Sequence, residues 1–131
     1  MDPKVLKEVP LFAGLSRRVR NVVAQHADEV SLPEGTKMIT EGALAYDMYV
    51  ILEGSVEVWE GDSKIAELGP GDVAGEIGVL ETHLRTATVI ASTPVKALVM
   101  FGPELTALEK TMPSVFAELE SLIRERTAPK G

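Results

Sequence analysis

The sequence predicts an α+β domain that is mainly β: a small sandwich or barrel with one helix ahead of it and two behind. Three features of the chain point to it. From about Asp28 to Met100 apolar residues recur at every second position, as in Val56-Glu57-Val58-Trp59-Glu60 and Val95-Lys96-Ala97-Leu98-Val99, the period of strands with one buried face. Eight of the 11 glycines (Gly35, Gly42, Gly54, Gly61, Gly69, Gly71, Gly75 and Gly78) punctuate the same stretch, at the spacing of short strands joined by tight turns. On either side the apolar period lengthens to that of a helix.

Residues 1–27 are the helical N-terminal part. Ser16 is placed to cap a helix that carries Leu15, Val19, Val22 and Val23 on one face, while Pro3, Pro10 and Gly14 keep the preceding segment short and bent. Residues 28–100 hold the strands. Residues 102–126 return to helix: Gly102-Pro103-Glu104 puts proline at a first helical position, with Leu105 and Leu108 following at i, i+3. Ser114 is read as the cap of a last helix with the stripe Val115, Phe116, Leu119, Leu122 and Ile123. Its Glu118 and Glu120 come early and its Arg124 and Arg126 late, an order that suits the helix dipole. Thr127 to Gly131 read as a frayed tail. Residues 1–131 are expected to form one domain, with no repeat, low-complexity tract or linker.

Composition excludes several function classes. A chain of 131 residues fits one domain of the usual ~100 to 200. Its longest apolar runs, Tyr49 to Leu52 and Ala97 to Phe101, fall far short of the ~20 residues of a membrane-spanning helix. Met1-Asp2-Pro3-Lys4-Val5 has neither the basic start nor the apolar run of a secretory signal, so the cytoplasm is the expected location. The absence of cysteine removes disulfide and thiolate chemistry. A net charge of -7 opposes wrapping of duplex DNA, which needs several phosphates neutralised, although a single arginine can still hold a small anion. Arg17, Arg18 and Arg20 form the one basic cluster and fit a solvated helix face.

No catalytic set emerges, and neither an enzyme nor a cofactor is expected. The two histidines, His26 and His83, stand far apart in the chain and make no metal-ligand pattern. There is no Gly-x-Ser-x-Gly elbow, and the glycine-rich stretch 69–78 lacks the Gly-Lys-Ser/Thr end of a phosphate-binding P-loop. A cupin-like metal enzyme would need a His-x-His pair, which is absent.

The informative stretch runs from Leu68 to Val89. Gly75 and Gly78 flank Glu76, so backbone N–H groups can approach a ligand with no Cβ in the way. Arg85 follows Glu76 by nine residues, and its planar fork suits bidentate contact with phosphate. A carboxylate acceptor and a guanidinium on one loop match a sugar hydroxyl and a phosphate on one small molecule. Alternatively the two side chains pair with each other at the surface, worth ~0 to 1 kcal/mol.

These residues resemble the phosphate-binding cassette of the cyclic nucleotide-binding domain family, which includes the catabolite activator proteins and the regulatory subunits of cyclic-AMP-dependent protein kinase. The family pattern, roughly Phe-Gly-Glu-Leu-Ala-Leu, four variable residues, then Arg, a small residue, Ala and Thr or Ser, is matched by Ala74-Gly75-Glu76-Ile77-Gly78-Val79-Leu80, four residues, and Arg85-Thr86-Ala87-Thr88. Val9 to Leu15, Leu32-Pro33-Glu34-Gly35, Glu41-Gly42 and Tyr49 to Val56 extend the resemblance over residues 5–126. Two positions depart from the pattern: Ala74 stands for the usual aromatic, and Leu84 for a proline that would fix φ, which leaves the cassette looser.

The resemblance implies an antiparallel β-roll, a double-stranded β-helix of jelly-roll type, acting as a sensor of a cyclic nucleotide, cyclic AMP first and cyclic GMP second. It implies that Glu76 accepts the ribose 2′-hydroxyl and that Arg85 pairs with the cyclic phosphate. Backbone N–H groups near Gly75, Gly78 and Thr86 would hold the sugar-phosphate, with Ile77 and Ala87 in the same lining and the Thr86 hydroxyl offered to phosphate or purine. Val58, Ile65, Leu68, Val73 and Ala74 would form the apolar wall beside the base, though each is equally explained as core. Phe116, Leu119 and Ile123 would swing in as a lid, or else form a permanently buried helix face. Output would pass through the C-terminal helices to a protein effector or a second copy. The family's transcription factors carry a helix-turn-helix after this domain, whereas only a few residues follow Arg126 here, so direct DNA binding is not expected. The alternative is a degenerate domain of the same fold that serves as a protein-interaction module without ligand.

Overall fold

A computed structural model describes residues 2–7, 9–42, 47–75 and 87–127. Two short helices, α1 (Pro3–Lys7) and α2 (Pro10–Ala13), precede α3 (Arg17–His26). The strands are β1 (Asp28–Leu32), β2 (Lys37–Ile39), β3 (Asp47–Glu53), β4 (Val56–Glu60), β5 (Ser63–Leu68), β6 (Val73–Ala74), β7 (Thr88–Ala91) and β8 (Val95–Phe101). Helices α4 (Gly102–Thr111) and α5 (Pro113–Thr127) follow. The strands form two antiparallel four-stranded sheets, β1-β8-β3-β6 and β2-β7-β4-β5, and the fold is the mainly β roll that the sequence predicts.

The layers explain the apolar runs. One core lies between the helices and the first sheet. There Met48, Val50, Leu98 and Met100 pack with Phe12, Val19, Val23, Leu105, Leu108, Phe116 and Leu119. The other lies inside the roll, where Ile51, Val95 and Ala97 meet Ile39, Val56, Val89 and Ala91 from the second sheet. Strands β3 and β8 are therefore buried on both faces, so their sequences run apolar where a half-exposed strand would alternate. The second sheet covers the roll on one side only and keeps the alternation, visible in Val56-Glu57-Val58.

Local chemistry sets the ends of the helices. The Ser16 hydroxyl accepts a hydrogen bond from the Val19 N–H at 3.3 Å, capping α3, and Val19, Val22, Val23 and Ala24 are its buried side. The Arg20 guanidinium donates to the Leu15 carbonyl, while Arg17 and Arg18 are exposed. Ser114 does not cap the last helix as the sequence predicts. Pro113 opens α5 two residues before the Val115 start that a Ser114 cap would give, and the Met112 carbonyl already accepts from the Phe116 N–H at 3.0 Å. Proline's fixed φ is preorganised for that first position, which moves the boundary.

The turns lock the two sheets together. Ser55 N–H donates to Thr93 Oγ1 at 3.0 Å, the Ser55 and Ser92 hydroxyls lie 2.9 Å apart, and Ser92 N–H donates to the Ser55 carbonyl at 3.0 Å. Gly54 makes this approach possible. Its φ is +92°, and a Cβ there would run into the Pro94 carbonyl oxygen and come within 2.9 Å of Thr93 Oγ1.

Candidate functional site

The site is built where the chain passes from one sheet to the other. Gly69-Pro70-Gly71-Asp72 is a type II turn: Asp72 N–H donates to the Gly69 carbonyl at 3.0 Å, with Pro70 second and Gly71 third at φ +90°. The Asp72 carboxylate accepts from the Gly69 N–H at 2.8 Å, which closes the turn from within. Reciprocal bonds of 2.8 and 2.9 Å between this turn and Ile51 fasten it to β3. Strand β6 then pairs with β3 through Tyr49↔Ala74 and Val50↔Val73 and ends at Gly75, whose φ is +82°. The chain is next described at the half-buried Ala87, which leads into β7 of the second sheet, paired with β4 through Val58↔Val89 and Trp59↔Thr88. Residues 76–86 thus join an edge strand of one sheet to an inner strand of the other. Glu76, Ile77, Gly78, Arg85 and Thr86 lie outside the described residues, as do His83 and Leu84.

Of the five residues expected beside a base, three come together. Val58 and Leu68 pack against the cluster inside the roll, and Ala74, 3% exposed, belongs to it. Val73, one residue earlier on β6, faces the other way and packs against the helix-side cluster, as strand alternation requires. Ile65 is turned to solvent, 52% exposed. The register shows why: Val58 pairs with Ala66 and Trp59 with Lys64, so Ile65 is the extra residue of a bulge on β5.

Of the three residues expected on a lid, Phe116 and Leu119 are 3% and 0% exposed in the helix-side core. Ile123 falls on α5 with its side chain outside the described residues. The helices are also tied to one another. Glu118 of α5 accepts from the Ser16 N–H at 3.4 Å, and Glu104 of α4 meets His26 at the end of α3.

Among the described residues, Lys64 of β5 is ion-paired at the surface. Lys64 on β5 lies 3.1 Å from Glu67 and 3.4 Å from Glu57. Its ammonium is held above the usual lysine value, first by the hydrogen bond to Glu67 and then by the attraction of both carboxylates, against some desolvation. Among the described residues no three His, Cys, Asp or Glu side chains gather as a metal site.

One residue that the sequence marked only as part of a resemblance proves to be a junction. Glu41 follows β2, its N–H donates to Thr88 Oγ1 at 3.0 Å, and its carboxylate accepts from the Gly61 N–H at 2.9 Å.

Residues 29–111 match the family model for the cyclic nucleotide-binding domain, well over half of the chain. This chain belongs to the cyclic nucleotide-binding domain family. Among its relatives the domain is similar to the Cyclic AMP receptor protein of Thermus thermophilus, 26% identical over 126 residues. That alignment takes in 92% of this chain and 58% of the relative, so the domain spans little more than half of that protein's length. A solved structure from Geobacter metallireducens superposes with a TM-score of 0.86 at 22% identity, over 98% of this chain and 97% of its own, a likeness of fold. The regulatory subunit of a cAMP-independent protein kinase A from Trypanosoma cruzi, solved bound to guanosine, superposes with a TM-score of 0.71 at 27% identity, over 87% of this chain and 41% of its own. Among the described residues no helix is long and apolar enough to cross a membrane.

Proposed function

We propose that this domain is a sensor of a cyclic nucleotide, cyclic AMP first and cyclic GMP second, and that it regulates without catalysing. The observation that carries the proposal is the family match over residues 29–111, which takes in β6, β7 and the whole segment between them. In this proposal Glu76 accepts the ribose 2′-hydroxyl and Arg85 pairs with the cyclic phosphate. N–H groups near Gly75, Gly78 and Thr86 complete the sugar-phosphate grip, beside Ile77 and Ala87. Val58, Leu68 and Ala74 wall the base, since they already meet inside the roll. Ile65 and Val73 would join them only after a local rearrangement. Phe116 and Leu119 would have to leave a packed core to act as a lid with Ile123, so closure by α5 implies repacking of the helix-side core. The signal leaves through the C-terminal helices to a protein effector or a second copy, in proportion to how much better the ligand binds the closed form.

The relative from Trypanosoma cruzi, cAMP-independent and bound to guanosine, favours a second ligand class, a nucleoside without phosphate. Calorimetry with cyclic AMP, cyclic GMP and guanosine separates the two, run on the native chain and on Glu76→Ala and Arg85→Ala. A cyclic nucleotide that binds the native chain and is lost in Arg85→Ala supports the proposal. Guanosine binding that ignores Arg85 favours the nucleoside, and no binding of any of the three leaves a protein-interaction module.

A further inference from the structure

The geometry points to Glu41 as a positioning residue for nucleotide binding, acting through Thr88, an inference that rests on the nucleotide site proposed above. Glu41 joins three pieces of chain that are distant in sequence. It continues from β2, it takes the Gly61 N–H of the β4–β5 turn on its carboxylate at 2.9 Å, and it gives its own N–H to Thr88 Oγ1 at 3.0 Å. The first bond is charge-assisted, the kind that holds a backbone in place most firmly. Thr88 is the first residue of β7 and stands opposite Trp59 of β4, while β2 holds the next residue of β7 through Ile39↔Val89.

Arg85 lies only three residues before Thr88. The chain that carries Arg85 enters the second sheet at Thr88, the first residue of β7, and Thr88 accepts the Glu41 N–H at 3.0 Å. Both bonds are at exposed positions, where water competes and the net contribution to folding is small. A binding group, by contrast, must be held to within about 0.5 Å of its working geometry, so a small shift of its anchor is felt in affinity. The clasp should thus weigh more on the ligand than on the fold.

The test is calorimetry with cyclic AMP and cyclic GMP, alongside ligand-free melting, on the native chain and four variants. Glu41→Ala removes the acceptor for Gly61, and Thr88→Val removes the hydroxyl while keeping the β-branched shape. Glu41→Gln and Thr88→Ser restore an acceptor in each place. The first two are expected to weaken binding about threefold to tenfold with ligand-free melting nearly unchanged, and the second two to bind close to the native level. Unchanged affinity in Glu41→Ala and Thr88→Val overturns the role, as does a loss the conservative variants share. A drop in melting temperature that accounts for the lost affinity also overturns it, because the clasp would then be structural. If the native chain binds neither nucleotide, the proposed site itself has failed; if it binds and Glu41→Ala and Thr88→Val bind as tightly, the site stands and Glu41 does not.

Discussion

The imidazole Nδ1 of His26, the last residue of α3, lies 2.6 Å from Oε2 of Glu104 in the first turn of α4, joining the end of one helix to the start of another across 78 residues of sequence. The Glu104 carboxylate also suits its own helix, since a negative charge in the first turn opposes the positive end of the helix dipole. The pair is partly exposed, with side chains 25% and 48% accessible. In a double-mutant cycle of His26→Ala and Glu104→Ala read by urea unfolding, the coupling is expected at ~0 to 1 kcal/mol. A coupling well above that range would mean the pair does more than steer the two helices together.

Leu119 tests whether α5 is docked as described. It is fully buried among the helix-side apolar residues, so Leu119→Ala should lower the unfolding free energy by about 2 to 5 kcal/mol. Denaturant unfolding checks this, and a loss under about 1 kcal/mol would show that the helix packs elsewhere.

Gly54 and Gly61 make a contrasting pair, since both have positive φ but only Gly54 is crowded. Gly54→Ala combines backbone strain with a collision against Pro94 and should cost roughly 2 to 5 kcal/mol. Gly61→Ala has open space around the added methyl and should cost only about 1 to 2 kcal/mol. Equal losses would show that backbone conformation alone sets both costs.

Lys64 and Lys96 set a limit at alkaline pH. Each is raised above the ordinary lysine value of 10.5, Lys96 first by its hydrogen bond to Glu53 and then by the attraction of Glu53 and Glu29. The folded state therefore holds these protons more tightly than the unfolded chain. Their contribution to stability is present in full below about 10.4 and is lost as pH climbs through the higher folded values. Melting temperature should fall above that point, and the fall should be shallower in Lys96→Met. An identical alkaline slope in that variant would remove Lys96 as a cause.

Ile65 separates a wall residue from a core residue. As the extruded member of a bulge it should tolerate Ile65→Ser within about 0.5 kcal/mol of native stability, measured by the same urea titration. A larger loss would place its side chain back inside.

What the sequence disclosed, and what it withheld, follows from the range of each interaction. The Ser16 cap and the proline opening α4 are set by neighbours within four residues, and they can be read off the chain. The period-two stretch gave the strands, but a count of alternating residues could not foresee that β8 would be covered on both sides. Nor could it show the bulge that expels Ile65, because that depends on which residues of β4 lie opposite. Ser114 lost its capping role to the adjacent proline, a competition between two good N-terminal signals that the sequence leaves level. The bond from Glu41 to Thr88 crosses 47 residues and leaves no local trace. Glu76 and Arg85 were legible as a pattern of chemistry, and their placement lies outside the described residues.

The serine knot between the turns at 54–55 and 92–95 means these two corners cannot evolve separately. Lengthening either one, or grafting a tag into it, would pry open its counterpart 37 residues away, whereas the Gly61-Asp62 hairpin tip offers room of its own. Diversity among homologous sequences should therefore appear at the first two corners as paired changes.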